Sequence, residues 1–304
     1  MNKTDIITYN KFLGVYRIED PLLISKIKDA IALKTATNFD ITKSFQLRSR
    51  DGRTLVLSGN YKNLWSNGSI YLATKNSMLY RIYPGSIFTE ALLYMSILED
   101  QVDYANIGDL IYITDNNQVL VFDTNTIRPL RSTTRYYKAP MPGGHLIELY
   151  KSRMFIAKEV SNKHLIIQSE GGNYERYDQR DDSSFQAFPE KLSMLKGVND
   201  GLFVSSDRTY FLEGNNLNNM KMTRVADYKA ISGTAKKVKG LVIGGEYYSD
   251  AVLWESERGI CIGGNGGKFI NLTEGRQSLS AAINGTSYIK LGEINQFVVN
   301  TKGG

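Results

Sequence analysis

The chain has 304 residues, of which 42% are hydrophobic, and its 37 lysines and arginines against 31 acidic residues give a net charge of +6. A chain of this length and composition can bury a large core, which excludes a disordered protein. The single cysteine, Cys261, excludes an internal disulfide framework and a cysteine-rich metal site.

The start of the chain shows few helical patterns. Residues 1–20 lack the apolar core and cleavage site of a secretory signal, so no export signal is expected. No uncharged apolar run approaches the roughly 20 residues that a membrane-spanning helix needs. The best helix candidate is PLLISKIKDAIAL at 21–33, and strands are predicted within 42–59. FTEALLYMSILED at 88–100 fits either a helix or an inner strand of a sheet.

A repeated phrase fills the rest of the chain. SIYLATKNSMLYRI at 69–82 returns as DLIYITDNNQVLVF at 109–122 and as GLFVSSDRTYFLEG at 201–214. Each copy is an apolar run, a polar turn and a second apolar run, which is the pattern of a β-hairpin. Six apolar anchors mark the repeats at intervals of about 40 to 50 residues: Tyr71, Ile111, Phe155, Phe203, Leu253 and Phe297.

The turns place three of these hairpins directly. They join Leu110–Thr114 to Val119–Phe122, Leu202–Ser205 to Thr209–Leu212, and Val252–Trp254 to Gly259–Ile262. A period of about 40 to 50 residues is typical of four-stranded propeller blades. We therefore predict an all-β fold, a single β-propeller domain of six or seven blades over residues 1–304. Hairpins of a sandwich or of a two-domain β protein are the alternative.

The predicted ring needs a closing contact. Residues 42–304 are assigned to the blades. Residues 1–41 are expected to be an extended segment that pairs with the last blade, because an unpaired strand edge invites aggregation.

Catalytic and metal-binding patterns are scarce. Neither His145 nor His164 has a Cys, Asp or second His at ligand spacing, and no Ser lies in a G-x-S-x-G turn. His145 is therefore interpreted as structural. Cys261 lies in a predicted strand and could face either side of it. We predict that the protein is not an enzyme and uses no cofactor or metal.

Two further stretches favour structural interpretations. RGICIGGNGGKFINLTEGR at 258–276 does not fit a phosphate-binding loop, because Phe269 follows Lys268 where Ser or Thr is required, so GGNGG is predicted to be a turn between strands. The acidic stretch 170–190 lacks the spacing of a calcium loop, and a solvated face is favoured over a cation site. Its carboxylates include Glu170, Glu175, Asp181 and Asp182.

The basic stretch 125–158 is the candidate contact region. Basic and aromatic side chains alternate with prolines there, as in loops that bind proteins or nucleic acids. The predicted contact residues are Arg128, Arg131, Arg135, Tyr136, Tyr137 and Lys138. The alternative is a long connection between blades with hydrated side chains. A net charge of +6 is low for a dedicated nucleic-acid binder, so direct DNA contact is not expected.

Several phrases resemble the β-propellers of tailed-bacteriophage virions. Those proteins tend to begin with an Asn and Gly phrase, here Asn10 and Gly14, followed by an Ala-x-Asn-x-Asp-Ile phrase at 36–41 and a basic strand with a Gly turn at 48–52. LWSNGSIYLATKNSMLYRI and AVLWESERGICIGGNGGKFINLTEG are similar to their blade phrases. The chain departs from the pattern at Lys43 and Ser44, where a Gly often opens the basic strand.

The resemblance implies a structural role in the virion. Such proteins are tail or neck components that pack in several copies near the tail hub or at the fibre attachment site. The expected partners are other tail or neck proteins and tail fibres, with no membrane contact, after synthesis in the host cytoplasm. The alternative is a glycan- or receptor-binding propeller that grips its ligand with Trp65 and Trp254, although their strand context favours packing.

Overall fold

A computed structural model describes residues 11–15, 30–33, 39–41, 47–49, 54–98, 102–133, 138–140, 143–177, 185–243, 246–274, 282–290 and 296–303. Strands dominate these residues, and their helices are two single-turn 3-10 segments at Leu217–Asn219 and Asn265–Gly267. No helix in the described ranges is long and apolar enough to cross a membrane. The all-β prediction is confirmed.

Five antiparallel sheets, each of four strands consecutive in the chain, make up most of the described structure. Sheet I contains β5 (Lys62–Ser66), β6 (Tyr71–Lys75), β7 (Met78–Tyr83) and β8 (Thr89–Met95). Sheet II contains β9 (Asp103–Ile107), β10 (Leu110–Thr114), β11 (Val119–Phe122) and β12 (Ile127–Pro129). Sheet III contains β15 (Leu146–Tyr150), β16 (Arg153–Val160), β17 (Lys163–Gln168) and β18 (Phe185–Phe188).

Sheets IV and V continue the same order. Sheet IV contains β19 (Met194–Val198), β20 (Gly201–Ser205), β21 (Thr209–Glu213) and β22 (Lys221–Ala226). Sheet V contains β23 (Lys236–Ile243), β24 (Glu246–Ser256), β25 (Gly259–Gly264) and β26 (Phe269–Asn271). A last hairpin follows, formed by β27 (Ala282–Lys290) and β28 (Gln296–Gly303). The three hairpins placed from their turns are confirmed, since each is the second and third strand of a sheet.

The repeated phrase marks one structural position. All six anchors lie on the second strand of a sheet or of the last hairpin. In sheets II, III and IV this strand is buried on both faces: Phe155 packs toward sheet IV while its neighbour Ile156 packs toward sheet II. A strand covered on both sides is apolar at nearly every position. The repeated apolar phrase therefore arises because each second strand is covered by a neighbouring sheet on both faces.

Each sheet packs against the next through its own hydrophobic cluster. Sheets IV and V are joined by Trp254, which is fully buried with its ring centroid 5.7 Å from Phe203 and 5.8 Å from Phe269. Gly263 permits this approach, because a Cβ there would lie 2.5 Å from the Phe203 ring. Burial of one large apolar side chain contributes about 1.5–3 kcal/mol, so each interface between sheets is a substantial source of stability.

The first strands of the sheets lie side by side. Strand β9 contacts β15, β15 contacts β19, β19 contacts β23, and β23 contacts β27. The fourth strands lie at the far edge of each sheet. Consecutive four-stranded meanders with their first strands innermost are the arrangement of propeller blades.

Two expectations about individual elements were wrong. Residues 89–95 form the outer edge strand of sheet I, so the 88–100 segment is neither a helix nor an inner strand. None of its seven residues is fully buried, as expected at a sheet edge. Residues 30–33, assigned to the best helix candidate, form strand β2 (Ala30–Leu33), which pairs in parallel with β1 (Lys11–Val15). Residues 21–29 lie outside the described residues.

The N-terminal strands form short pairs of their own. Strand β3 (Phe39–Ile41) pairs with β4 (Leu47–Ser49). Among the described strand pairs, β27 and β28 pair with each other and none joins them to the N-terminal strands. The assignment of residues 1–41 to ring closure therefore stays a prediction.

Candidate functional site

The predicted contact region forms a hairpin between sheets II and III. Strand β13 (Arg131–Thr133) pairs with β14 (Lys138–Pro140), and we call residues 131–140 the basic hairpin. Leu130 anchors its base, because the side chain is buried and the amide donates to the Val119 carbonyl at 2.7 Å. Arg131 and Lys138 lie on the two strands, whereas Arg135, Tyr136 and Tyr137 lie outside the described residues.

Arg128 lies apart from the other predicted contact residues. It belongs to β12, and its Nη2 and Nη1 atoms donate to the two carboxylate oxygens of Glu175 at 2.6 and 3.2 Å. Glu175 belongs to the connection between β17 and β18, so the pair ties sheet II to sheet III. The side chain of Arg128 is 51% exposed, but its charge is already matched. Nearby, Glu170 pairs with Arg176 at 2.9 Å, while Asp181 and Asp182 lie outside the described residues.

The other residues singled out in the sequence have structural surroundings. Cys261 is fully buried beside Trp254, and burial raises the pKa of its thiol to about 11. Trp65 is partly buried and stacks on Tyr104 with ring centroids 5.4 Å apart. The packing interpretation of Trp254 and of Trp65 is thus confirmed. No group of three or more His, Cys, Asp or Glu side chains in the described ranges could hold a metal ion.

His145 is a buried structural residue, as predicted. Its ring is fully buried at the entry to sheet III, and Nε2 lies 3.0 Å from the carbonyl oxygen of Leu192. A carbonyl can only accept, so Nε2 carries the proton in the neutral ring. Burial, reinforced by the charge of Lys191, lowers the pKa of His145 to about 4.

The predicted turn at GGNGG also fastens one sheet to another. Residues 265–267 form a single 3-10 turn between β25 and β26, with Gly266 at φ 69°. The Gly266 amide donates to Oδ2 of Asp200 in sheet IV at 2.6 Å. A glycine at this positive φ keeps the turn unstrained. The interpretation as a turn between strands is therefore confirmed.

Charged side chains of the first strands meet along the inner edge of the sheets. We call Asp103, Glu148, Lys196 and Lys237 the axial cluster; they belong to β9, β15, β19 and β23.

Lys196 occupies the middle of the axial cluster. Its Nζ lies 3.2 Å from Asp103 and 3.8 Å from Glu148. Glu148 also accepts from Lys237 Nζ at 2.8 Å and from the Gly197 amide at 3.1 Å. The cluster therefore links the inner strands of four consecutive sheets.

Burial increases the contribution of these ion pairs to the stability of the fold. Only 15% of the Lys196 side chain and 7% of the Glu148 side chain are exposed. Burial alone would lower the pKa of Lys196, but the charges of Asp103 and Glu148 outweigh it and raise that pKa. A desolvated ammonium of this kind is stable only while both carboxylates remain beside it. The cluster thus fixes how neighbouring sheets align.

Sequence reasoning missed the axial cluster. Two of its charges are isolated within short apolar strands, Glu148 in LIELY and Lys196 in MLKGV. The sequence does contain one sign of the cluster: a single charged residue in the apolar strand that comes just before a repeated hairpin. Pairing of those charges depends on contacts between residues 93 positions apart, which the linear pattern does not reveal.

Comparisons with known proteins find similarity in overall structure alone. No family model matches the chain, and no curated protein matches it. Solved structures that are similar include PorZ of Porphyromonas gingivalis, with 9% identity, a TM-score of 0.41 and coverage of 81% of this chain and 38% of PorZ. The chain thus spans well under half the length of that protein.

Two other similar structures are covered over most of their length. Virginiamycin B lyase from Staphylococcus aureus has 12% identity and a TM-score of 0.48, with 86% of this chain and 84% of the lyase covered. YCF48, solved with a D1 peptide, has 10% identity and a TM-score of 0.47, with 84% and 82% covered. Similarity this distant carries no conclusion about activity or partners.

Replacement of Lys196 tests the axial cluster. The change Lys196→Met keeps the length of the side chain but removes the cation of Asp103 and leaves Glu148 with Lys237 as its remaining partner. We therefore expect a loss of about 3 kcal/mol in the free energy of unfolding. The measurement is urea unfolding followed by tryptophan fluorescence. The control is Lys229→Met, which removes an exposed pair with Glu190 at 3.4 Å and should cost less than about 1 kcal/mol. Equal losses in the two variants would contradict the assigned role.

Acid titration tests the burial of His145. The unfolded chain binds a proton on this ring near pH 6.5 and the folded chain near pH 4. Stability should therefore fall as the pH drops from 6.5 to 4, and this residue accounts for roughly 3 kcal/mol of the loss. His145→Gln keeps a donor for Leu192 and removes the titration, so its stability should depend less steeply on pH over that range. An unchanged slope would show that His145 has the same pKa in the folded and unfolded chains.

Proposed function

We propose that the protein is a non-enzymatic structural component of a bacteriophage particle. In this proposal several copies pack in the tail or neck and connect tail parts or fibres through loops on one face of a β-propeller. The resemblance of the N-terminal and blade phrases to virion propellers supports the virion role. The stacked four-stranded sheets support the propeller architecture.

The basic hairpin is the observation that carries the contact part of the proposal. The four-stranded sheets pack against one another through their apolar faces, whereas this connection builds a separate two-stranded element outside them. Arg131 and Lys138 lie on its strands, and Arg135, Tyr136 and Tyr137 follow between them in the sequence. Arginine and tyrosine are enriched at protein interfaces. The partner surface is accordingly expected to be acidic.

Glycan or receptor recognition is the weaker alternative. It needs aromatic side chains at an accessible surface, and Trp254 is fully buried between sheets IV and V. Trp65 is partly buried and engaged with Tyr104. Neither tryptophan therefore offers the open ring face that a sugar would stack on.

A closed ring of six or seven blades is the finer part of the proposal. Two sheet faces at opposite ends of the series carry exposed apolar side chains: Leu64 on sheet I is 67% exposed, and Tyr288 on the last hairpin is 49% exposed. Leu64 points away from sheet II, since its neighbour Trp65 packs toward that sheet. Tyr288 points away from sheet V, since its neighbour Ile289 packs toward it. Closure would bring these two faces together.

Quantitative mass spectrometry of purified phage particles tests the virion role. Particles carrying the wild-type chain should contain it in several copies. In particles assembled with Arg131→Ala, Arg135→Ala and Lys138→Ala combined, we expect at least about a tenfold drop in copy number. Arginine is enriched among the few interface residues that each contribute about 2 kcal/mol or more, and a tenfold change corresponds to about 1.4 kcal/mol.

The control for this experiment removes the same charge from another surface. Arg208→Ala, Arg224→Ala and Lys229→Ala change exposed side chains of and beside sheet IV and should leave the copy number unchanged. Both triple variants should keep the wild-type thermal transition. Absence of the wild-type chain from purified particles would overturn the virion role, and equal incorporation of both variants would overturn the contact surface.

Chemical cross-linking tests ring closure. In the double variant Leu64→Cys with Tyr288→Cys, a short bismaleimide should join the two thiols within one chain. Cys261 should not react, because it is buried and its thiol pKa is raised to about 11. The pair Leu64→Cys with Met222→Cys is the control, since Met222 lies on the outer edge strand of sheet IV. Cross-links that form only between chains, or equally in both pairs, would contradict closure.

A further inference from the structure

Asparagine followed by glycine occurs three times in the chain, at Asn67, Asn265 and Asn284. In such a pair the glycine amide nitrogen can attack the side-chain carbonyl carbon of the asparagine, because glycine has no Cβ to hinder the approach. The five-membered ring that forms is a succinimide. Ring closure needs a glycine amide that can turn toward the asparagine side chain, so the contacts of the three glycine amides decide which asparagine reacts.

Two of the three glycine amides are tied to a neighbouring element. The Gly266 amide donates to Oδ2 of Asp200 in sheet IV at 2.6 Å. The Gly285 amide donates to the carbonyl oxygen of Ser232 at 2.8 Å, and Gly285 itself lies in the pairing of β27 with β28. Either amide would have to break its hydrogen bond to another part of the fold before it could reach the asparagine carbonyl.

The Gly68 amide makes a local contact instead. It lies in the connection between β5 and β6, where residues 66–69 are exposed, and it donates to the Ser66 hydroxyl at 2.9 Å. Water can replace a hydroxyl acceptor at an exposed position, so this bond restrains the amide little. A methyl group on Gly68 would meet no atom within 4 Å, whereas one on Gly285 would lie 2.9 Å from the carbonyl oxygen of Asn300. Gly68 therefore has the space that ring closure needs.

The side-chain carbonyl of Asn67 is also activated. Its Oδ1 accepts hydrogen bonds from the backbone amides of Ser69 at 3.1 Å and Ile70 at 2.9 Å. Negative charge develops on this oxygen when the Gly68 nitrogen attacks the carbonyl carbon, and two backbone donors stabilise that charge as in an oxyanion hole. The turn therefore lowers the barrier to ring closure and leaves the attacking amide accessible.

We propose that Asn67 is a site of spontaneous deamidation in the folded protein, whereas Asn265 and Asn284 are protected. The Gly68 amide gives its proton to hydroxide, and its nitrogen bonds to the side-chain carbonyl carbon of Asn67. The bond from that carbon to Nδ2 breaks, and ammonia leaves after taking a proton from water. A water molecule then opens the succinimide to give aspartate or isoaspartate.

The modification removes a contact between sheets I and II. Nδ2 of Asn67 donates to Oδ1 of Asn106 on β9 at 3.1 Å. The Nδ2 atom of Asn106 is already engaged, since it donates to the carbonyls of Gly108 and Leu110 at 2.9 Å. Deamidation replaces the Asn67 donor with a negatively charged acceptor, which cannot bond to Oδ1 of Asn106. The connection between β5 and β6 therefore loses this hydrogen bond to sheet II.

Peptide mapping by mass spectrometry tests the site, after incubation of the full chain at mildly alkaline pH below its thermal transition. The modified fraction at Asn67 should grow at least about tenfold faster than at Asn265 and Asn284, because hydrogen bonds hold the other two glycine amides. In the urea-unfolded chain the three positions should react at similar rates, since the folded contacts are gone. Asn67→Gln requires a larger ring and should abolish the modification there.

Two variants of Asp200 test the cause of the protection. Asp200→Ala frees the Gly266 amide and should raise the rate at Asn265 toward that of Asn67, whereas Asp200→Asn keeps an acceptor oxygen and should leave it low. The rate at Asn284 should stay low in both variants, which controls for a general loss of structure. The proposal is overturned if Asn67 in the folded wild-type chain reacts no faster than Asn265 and Asn284. Equal rates at Asn265 in the two Asp200 variants would overturn the assigned protection.

Discussion

Burial of the second strand on both faces is the constraint on which the rest of the structure depends. Phe155 and Ile156 are adjacent in the chain and fully buried, yet they pack against different sheets. A sheet built around such a strand has two apolar faces and cannot be stable alone. Each sheet therefore needs a neighbour on either side, and stability accumulates interface by interface as in repeat proteins. The first and last sheets of the series each have one apolar face that no consecutive sheet covers.

The same stacking places charge where it is costly. The first strands converge along the inner edge of the sheets. Asp103, Glu148 and Lys196 are therefore partly buried next to one another, even though each is the only charged residue of its strand. Their attraction in a partly desolvated space offsets the desolvation penalty only in the observed alignment. Apolar contacts between sheets tolerate small shifts, whereas ion pairs near 3 Å do not. The axial cluster thus fixes the relative positions of the stacked sheets more closely than apolar contacts alone would.

The sequence predicted the local structure well because its signals are local. Turns such as DNNQ fix where β10 ends and β11 begins, and the predicted bounds of both strands agree with the structure. The repeat also placed all six anchors on equivalent strands. The 88–100 segment was predicted wrongly because TEALLYM has five apolar residues in succession, which is typical of an inner strand. Its position at a sheet edge depends on pairing with β7 rather than on its own pattern.

Candidate site residues were predictable only where composition reveals them. The run of arginine and tyrosine drew attention to the basic hairpin, but nothing in the sequence indicates that Arg128 is held by Glu175, 47 residues away. The axial cluster has no compositional signature, since it gathers one charge from each of four strands. The structural interpretation of His145 agrees with its burial and with its contact with the Leu192 carbonyl, 47 residues away, although no sequence pattern indicates that partner.

Protection of the outer sheet edges bears on where a partner can bind. Strand β12 ends in Pro129, β26 has three residues, and β22 carries Lys221 and Arg224, all of which disfavour addition of a foreign strand. Strand β8 is longer, but a register shift interrupts its pairing with β7, and bulges of this kind also discourage edge pairing. Addition of a partner strand is therefore disfavoured at these four edges. Connections between sheets remain as contact elements, and among the described connections the one that forms a hairpin of its own is the basic hairpin.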